Sequence, residues 1–345
     1  MYLATIDCGT TNSRVYIVDE QATIIASARK QVGVRDTAIA GNNEALKQGL
    51  AQTFHAALKE AGLELQDIRL VLSSGMITSE IGLLAIPHLV APVLIDELAA
   101  NITRVHDTDI FPVDIPVYFV RGIKNPYDPA TATMSDVGLL DFMRGEEAQV
   151  AGLLSHVKPE LPVTMVMLSS HTKFIPINKK REVLGSITTM SGQTYAAIKK
   201  ETFIGKSIRP ESDFEAKDYF DAEIVANALN WCGKTGFIRS LMMPRFLDVL
   251  LETKWYEREL FVEALIAAED SEAMKVFEEL GYPVDTNYIL VGPERRCRIY
   301  EHILKKRVGV TGYIKTITDV EEIDSLSIHG VLDLAGKAGL LDDSG

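Results

Sequence analysis

The sequence predicts an α/β fold of two duplicated domains that face each other across a cleft. The chain has 345 residues, of which 47% are hydrophobic, so it is long enough to form more than one core. The pattern of residues 2–31, in which strands alternate with tight polar turns, recurs in residues 161–190. This repeat places a domain boundary near residues 156–162, giving an N-terminal domain of residues 1–158 and a C-terminal domain of residues 159–345.

The first half opens with three strands in succession. Strands are expected at residues 2–7 and 13–19, joined by a glycine-threonine turn, and a third follows within residues 22–31. A helix is expected over residues 44–61, because large apolar residues recur there at helical spacing before Gly62. The stretch "DIRLVLSSGM" then predicts a buried strand that runs into a loop.

The second half repeats this order after a short helix. Apolar residues within 145–157 fall on one helical face, and a strand, a hydroxyl-rich turn, a strand, a charged hairpin and a third strand follow. The turn Gly9-Thr10-Thr11-Asn12 aligns with Ser169-Ser170-His171-Thr172. Helices are expected to dominate residues 220–280. Further on, "YILVGPERR" predicts a buried strand that enters a helix, and "SIHGVLDLAGKAGLL" predicts a closing amphipathic helix, for which packing back on the first domain is one arrangement.

The composition argues against several classes of partner. A net charge of -13 and a pI near 5.1 disfavour nucleic acid and anionic membranes, since both would repel the protein surface. The three cysteines are too scattered for a disulfide framework or a zinc motif, which is typical of a reducing compartment. No basic and apolar leader precedes Asp7, and the longest apolar stretch, "IGLLAIPHLVAPVLI", is too short to cross a bilayer. We expect a cytoplasmic protein.

The stretch "IDCGTTNS" has the composition of a phosphate-binding turn. A tight turn of Gly9, Thr10, Thr11 and Asn12 exposes backbone N–H groups that bind an anion, and the adjacent Asp7 is suited to hold a divalent cation through water. Two such turns facing each other would hold the phosphates of a nucleotide. The GxxxxGK[ST] and GxGxxG motifs are absent. Ordinary hairpin turns favour the same residue types, so this turn alone does not decide the function.

Several blocks of the chain resemble one family of kinases. In order they are "IDCGTTNSR", "SSGMITSEIGLLAIPHLVAP", "DFMRGEEAQVAG", "SSHTKFIPI", "TTMSGQTY" and, more weakly, "ILVGPERRCRIY". They resemble the 2-dehydro-3-deoxygalactonokinases, sugar-acid kinases of the actin-like, ribonuclease H-like ATPase superfamily. The resemblance implies that ATP and Mg²⁺ are used to phosphorylate the terminal hydroxyl of 2-dehydro-3-deoxy-D-galactonate. It leaves open the sugar acid itself, the nucleotide preference and the oligomeric state, with a homodimer among the alternatives.

The resemblance also implies roles for the two turns. Asp7 would orient the metal ion, and the first turn would contact the phosphate being transferred. The second turn would bind the nucleotide, with Lys173 as a catalytic positive charge beside the phosphates. The residues expected to bind ATP are Gly9, Thr10, Thr11, Asn12, Ser169, Ser170, His171, Thr172, Gly192 and Gly292.

A second set of residues is expected at the sugar acid. Gly75 and Met76 follow a buried strand, where ligands bind in open α/β sheets, and Ser79 belongs to the same block. Arg144 carries the planar guanidinium that suits a carboxylate. Arg14 would reach the substrate or a phosphate. It could equally be a solvent-exposed cation of a strand with no role in binding. Met76 fits a core position as well as a substrate contact.

A sugar kinase needs a carboxylate that accepts the proton of the substrate hydroxyl. Glu146 and Glu147 precede Val150 and Ala151 by three or four residues on a predicted helix, so at least one of them should face inward. Acidic residues are also common at helix N-termini because of the helix dipole. Glu146 is the first choice for the catalytic base, with Glu147 or Asp141 as substitutes.

The second turn departs from the family pattern. Ser169 replaces a glycine that lets phosphate approach the backbone, and Gln193 replaces an acidic residue, whereas His171 and Lys173 match. These changes raise an alternative function, a non-catalytic sensor that binds a sugar acid or a nucleotide. A phosphohydrolase of the same superfamily is a third hypothesis, for which no block gives a particular reason.

Overall fold

A computed structural model describes residues 2–211, 216 and 218–342. The strands of its first half are β1 (Tyr2–Cys8), β2 (Ser13–Asp19), β3 (Ile24–Lys30), β4 (Ile68–Gly75), β5 (Leu89–Val90), β6 (Val93–Leu94), β7 (Thr103–Val105), β8 (Val117–Phe119), β9 (Ile123–Lys124) and β10 (Phe142–Met143). The helices are α1 (Val34–Ala40), α2 (Glu44–Ala61), α3 (Ile95–Ala100) and α4 (Glu146–Gly152). Shorter helical turns lie at Leu65–Asp67, Met76–Thr78, Met134–Leu139 and Leu153–Val157.

The second half begins with the strands β11 (Val163–Leu168), β12 (Thr172–Ile177), β13 (Glu182–Val183) and β14 (Ile187–Thr189). Its helices are α5 (Ser191–Glu201), α6 (Ile204–Ser207), α7 (Ala222–Thr235), α8 (Phe237–Ser240), α9 (Met243–Val249), α10 (Trp255–Ala273), α11 (Phe277–Leu280), α12 (Glu294–Ile303) and α13 (Val320–Lys337). Two more strands, β15 (Asn287–Val291) and β16 (Ile314–Ile317), flank α12. Shorter helical turns lie at Met274–Val276 and Leu304–Val308.

Five strands of each main sheet correspond in order, β3-β2-β1-β4-β8 in the first and β13-β12-β11-β15-β16 in the second, which confirms the predicted duplication. The first sheet runs β3-β2-β1-β4-β8-β7, and the second runs β16-β15-β11-β12-β13-β6. In each half an antiparallel hairpin (β1–β2, β11–β12) is followed by a parallel partner for its first strand (β4, β15). Because parallel strands end at the same sheet edge, the turn after β1 and the end of β4 lie side by side, as do the turn after β11 and the end of β15.

Local sequence accounts for most of these elements. The helix expected over residues 44–61 is confirmed as α2, which buries Leu46, Leu50 and Phe54 against the sheet and ends at Gly62 with a φ of 69°. All six residues of β11 are buried, as expected for a central strand with covered faces. The predicted closing helix starts earlier than expected, at Val320, where the Asp319 carboxylate accepts a hydrogen bond from the Glu322 N–H.

Two connections tie the halves together. Strand β6 of the first half pairs with β13, so Val93 lies opposite Val183 in the second sheet. Helix α13 crosses α4 at very short distance, because a Cβ at Gly330 would lie 1.7 Å from the Ala148 carbonyl oxygen. This contact brings the C-terminal helix to the same place as the start of α4. The assignment of sugar-acid binding to residues 1–158 and of nucleotide binding to residues 159–345 stays a prediction.

Candidate active site

The start of α1 supports the backbone of the first turn, residues 9–12. The Gly9 N–H donates to the Asn12 carbonyl (2.9 Å), and the Arg35 N–H donates to the Thr10 carbonyl (2.9 Å). Gly33 packs against the same peptide, since a Cβ there would lie 2.5 Å from the Thr10 carbonyl carbon. The backbone of the turn is therefore fixed, while Thr10 and Asn12 remain exposed.

The second turn is built in a similar way around Ser169. The Ser169 N–H and hydroxyl both donate to the His171 carbonyl (3.1 Å each). Gly192 packs under the turn, and a Cβ there would lie 2.2 Å from the Ser169 carbonyl oxygen. The Arg296 guanidinium donates to that same oxygen (2.8 Å). Gln193 contacts His171 through its side-chain amide (3.2 Å).

A buried polar network lies behind the second turn. The Thr172 hydroxyl contacts the Ser191 hydroxyl, the Tyr300 hydroxyl (3.2 Å) and the Arg296 guanidinium (3.1 Å), and Tyr300 also donates to Asp270. These hydrogen bonds direct the Thr172 side chain into the protein. The side chain thus supports the turn, and a nucleotide would meet its exposed neighbours Ser169 and Ser170.

Gly292 supports the same region from the end of β15. It is buried with a φ of 151°, and a Cβ there would lie 2.7 Å from the Leu168 carbonyl oxygen. Gly292 therefore lets the two strand ends approach each other. Within the described chain, neither Gly292 nor Gly192 lines the large cleft, so their predicted contact with ATP stays a prediction.

Both turns line one cleft of about 1120 Å³. Residues predicted to act in catalysis, to bind ATP and to bind the sugar acid all line this cleft. They are Asp7, Gly9, Thr10, Gly75, Met76, Arg144, Glu146, Ser169, Ser170, His171 and Lys173. An adjoining cavity of about 570 Å³ is lined by Thr11, Asn12 and Arg14 and shares Asp7 and Glu146 with the cleft. The fold thus brings most of the predicted site together.

Asp7 lies at the end of β1, beside Gly75. Burial raises the pKa of its carboxyl to about 6; the Arg14 cation lowers it, while Asp324 and Glu146 raise it further. Among the described residues no side chain or N–H group forms a hydrogen bond with this carboxylate. Gly75 has a φ of 91°, and a Cβ there would lie 3.2 Å from Asp7 Oδ1, so glycine keeps the space beside the carboxylate open.

Glu146 is the acid of α4 that faces the cleft. Its Oε1 lies 3.8 Å from Lys173 Nζ, and its Oε2 is buried without a hydrogen-bond partner in the described part of the chain. Lys173 is itself buried and donates to the Phe142 carbonyl (2.9 Å). Lys173 therefore neutralises part of the charge of Glu146, and one carboxylate oxygen remains available.

The two substitute bases are occupied elsewhere. Both oxygens of Glu147 accept from the Gly145 N–H (2.8 and 2.7 Å), and burial, with a contribution from Glu146, raises its pKa to about 8. Asp141 accepts from the Ser186 hydroxyl (3.0 Å) and the Thr188 hydroxyl (2.8 Å). Of the three acids, Glu146 is the one with an oxygen that has no hydrogen-bond partner, and the residue lines the cleft.

Arg144 presents a buried cation to the cleft. Its guanidinium donates to the Thr78 hydroxyl (2.6 Å) and the Ile86 carbonyl (2.7 Å), and no carboxylate of the described residues pairs with it. Met76 is half-buried at the cleft wall. Ser79 is buried and donates to the Met76 carbonyl (2.7 Å), which makes it a support for that wall.

Comparison with known proteins identifies the family. A family model described as 2-keto-3-deoxy-galactonokinase matches residues 7–321. The chain belongs to this family. A curated protein of Rhizobium meliloti (strain 1021), described as a "probable 2-dehydro-3-deoxygalactonokinase", is 24% identical over 215 residues, which are 62% of this chain and 62% of that protein. The predicted family is therefore confirmed.

Solved structures confirm the predicted actin-like fold. The crystal structure of a protein from Sinorhizobium meliloti, described as a "putative 2-dehydro-3-deoxygalactonokinase", superposes with a TM-score of 0.70 at 17% identity and covers 100% of this chain and 98% of that one. Component A of the Acidaminococcus fermentans (R)-2-hydroxyglutaryl-CoA dehydratase superposes with a TM-score of 0.52 at 13% identity and covers 98% of this chain and 99% of that one. Among the described residues, no helix combines the length and the apolar character needed to cross a bilayer.

The residues around Asp7 in this member of the 2-keto-3-deoxy-galactonokinase family are compatible with Mg²⁺ that is shared with nucleotide phosphates. The described residues contain no cluster of three or more histidine, cysteine, aspartate or glutamate side chains that would hold a metal alone. Mg²⁺ typically uses one or two carboxylates, several waters and substrate phosphates. Asp7, which has no hydrogen-bond partner in the described chain and lines the cleft, matches that requirement.

Helix α13 contributes residues that sequence reasoning missed. Arg14 donates to Asp324 Oδ1 (2.6 Å), and the Tyr16 hydroxyl donates to Asp324 Oδ2 (2.9 Å), so Arg14 is already ion-paired. Ser327 of the same helix lines the cleft. The Arg14–Asp324 ion pair joins residues that are more than 300 positions apart. No local sequence pattern could have predicted it.

Proposed function

We propose that this protein is an ATP-dependent kinase that phosphorylates the terminal hydroxyl of a 2-dehydro-3-deoxy sugar acid, with 2-dehydro-3-deoxy-D-galactonate as the favoured substrate. The observation that carries the proposal is the joint presence of two hydroxyl-rich turns, Asp7, Glu146 and Arg144 at one cleft. Phosphoryl transfer depends mainly on positioning and on stabilising charge. This set of groups supplies both.

In the proposed complex Arg144 binds the substrate carboxylate. A buried guanidinium without a carboxylate partner is costly, and an anionic substrate supplies the missing charge. The fork of donors on Arg144 matches the two oxygens of a carboxylate. The acid end of the substrate is thereby fixed, and its terminal hydroxyl extends toward Asp7 and Glu146.

Glu146 then accepts the proton of that hydroxyl. Its Oε2 has no other partner, and Lys173 offsets the charge on Oε1. As the proton moves from the hydroxyl oxygen to the Glu146 carboxylate, the hydroxyl oxygen becomes a better nucleophile for the terminal phosphate of ATP, and ADP leaves. The backbone N–H groups of the two turns hold the phosphate oxygens during this step. When bound, Mg²⁺ beside Asp7 offsets the negative charge of the phosphates.

We assign the sugar acid and the first turn to residues 1–158, and the nucleotide to residues 159–345. Closure of the cleft between them would exclude water, because an open site would hydrolyse ATP. A cytoplasmic location and a homodimeric assembly are kept as predictions of the sequence.

The test is ADP release by the purified protein with MgATP and a panel of acceptors. The panel contains 2-dehydro-3-deoxy-D-galactonate, 2-dehydro-3-deoxy-D-gluconate, D-galactonate and D-galactose. We expect the highest kcat/KM with the first compound and a product phosphorylated at its terminal carbon, which NMR would identify. A protein that binds the sugar acid by calorimetry but releases no ADP would instead support the sensor.

A further inference from the structure

The small third sheet forms one wall of the cleft. Its order is β10-β9-β5, and Lys124 lies directly opposite Phe142 in the register. Residues that lie opposite each other share one face of a sheet, so Lys124 and Phe142 point the same way, and Arg144 follows the end of β10. All three line the cleft, and so do His88 and Tyr127. We call these five residues the platform.

The platform carries more positive charge than its neighbours balance. Lys124 is half-buried, and among the described residues it has no carboxylate partner; its Nζ lies 4.8 Å from the centre of the Tyr127 ring. Arg144 also lacks a carboxylate partner in that part of the chain. Two acids act on the charge of Arg144, the buried Glu147 and the exposed Glu80, and neither lies within salt-bridge distance of it in the described chain. Two unpaired cations on one partly buried face form a site for an anion.

The pKa of the neighbouring His88 imidazole is affected by the same positive charges. Burial lowers the pKa of His88 to about 4, and the cations Arg144, Lys124 and Lys173 contribute, with Glu80 opposing them. His88 is therefore neutral at physiological pH and adds no charge to the platform. Its Nδ1 lies 3.4 Å from the Arg144 guanidinium. The charge available to a ligand at the platform is that of Arg144 and Lys124.

Close packing fixes the platform. A Cβ at Gly122 would lie 2.5 Å from the Met143 carbonyl oxygen, 2.7 Å from His88 Cδ2 and 2.8 Å from Arg144 Cγ. The strands thus press Arg144 and His88 together with no room for a side chain between them. Lys124 lies two residues after Gly122, at the end of β9, and lines the cleft.

We propose that Lys124 is a specificity residue that binds the 2-keto oxygen of the substrate while Arg144 binds the adjacent carboxylate. The inference rests on the proposed function and deepens it. A 2-keto acid presents a planar carboxylate next to a single carbonyl oxygen. The forked guanidinium of Arg144 suits the carboxylate, whereas the compact ammonium of Lys124 suits a single acceptor. The pair therefore favours 2-keto acids over 2-hydroxy acids and neutral sugars.

The experiment compares Lys124→Met with wild type. Methionine keeps the length and apolar stem of the side chain and removes the charge. We expect the KM for 2-dehydro-3-deoxy-D-galactonate to rise about 10- to 100-fold, the range for loss of a charged hydrogen bond, with kcat and the KM for ATP nearly unchanged. Lys124→Arg should recover part of the loss. The preference for 2-dehydro-3-deoxy-D-galactonate over D-galactonate should shrink in Lys124→Met, because the keto oxygen is no longer recognised.

Lys315→Met is the matched control. Lys315 also lies over a tyrosine ring, with Nζ 5.4 Å from the centre of Tyr313, but it belongs to β16 and is not part of the cleft wall. Its loss should leave both KM values unchanged. Should wild type be active and Lys124→Met retain the same KM and the same keto-acid preference, Lys124 has no such role. A wild type that phosphorylates no sugar acid would refute the proposed function itself, which is a different result.

Discussion

Replacement of Asp7 by asparagine should make the protein more stable and much less active. Burial raises the pKa of the Asp7 carboxyl from 3.8 to about 6. Between these two values an unfolded chain ionises this group while the folded protein keeps it protonated. Above pH 6 the folded protein holds a half-buried charge that has no hydrogen-bond partner in the described chain, so Asp7 lowers stability there. Asparagine has nearly the same shape and never carries that charge.

The size of the effect follows from the pKa. A rise from 3.8 to about 6 corresponds to about 3 kcal/mol at neutral pH, using about 1.36 kcal/mol for each pH unit. The gain of the Asp7→Asn variant should therefore approach about 3 kcal/mol above pH 6, shrink between pH 6 and pH 4, and vanish below pH 4. Activity should fall by roughly two orders of magnitude or more, because the carboxylate no longer stabilises charge in the transition state.

Urea unfolding of both proteins from pH 4 to pH 8, without nucleotide or Mg²⁺, measures this difference, and MgATP-dependent ADP release measures the activity. Asp285→Asn is a control for which the opposite change in stability is expected. Backbone and side-chain hydrogen bonds from Thr311 lower the pKa of the Asp285 carboxyl. Its loss should reduce stability at neutral pH, and the difference should fade as the pH drops. An Asp7→Asn protein that is no more stable than wild type at pH 7.5, or that turns over normally, would refute the reasoning.

Four further substitutions test separate parts of the site. Arg144→Lys keeps the charge but loses the fork of donors; calorimetry should show sugar-acid binding weakened about tenfold or more, with ATP binding nearly normal. Glu146→Gln should lower kcat by about 10²- to 10⁴-fold with little change in either KM, and an unchanged kcat would exclude it as the base. Ser169→Gly should change the Kd for MgATP only modestly if the serine already belongs to a working turn; a large gain in ATP binding and turnover would favour the sensor for the native protein. Arg296→Ala should raise the KM for ATP about tenfold by releasing the Ser169 carbonyl, whereas Arg298→Ala, whose guanidinium donates to the Asp218 carbonyl, should not.

The sequence by itself determined the principal strands and helices of the two duplicated halves. Helical spacing of apolar residues and a terminal glycine predict α2, and alternating strands and turns predict both meanders. These patterns are local, since they depend on neighbours within a few residues. The turn residues around Gly9 and Ser169 also follow from local composition, and the equivalence of the two turns places them at matching ends of two sheets.

Only the tertiary structure decided which side chains are available for chemistry. Both glutamates at the start of α4 looked alike, but the Gly145 N–H occupies both oxygens of Glu147 while one oxygen of Glu146 stays free. Arg14 meets Asp324 because α13 packs on α4, a contact between segments far apart in the chain. Burial, and with it the pKa of Asp7, depends on every element packed around a residue. Such contacts join residues distant in sequence, so no local pattern specifies them.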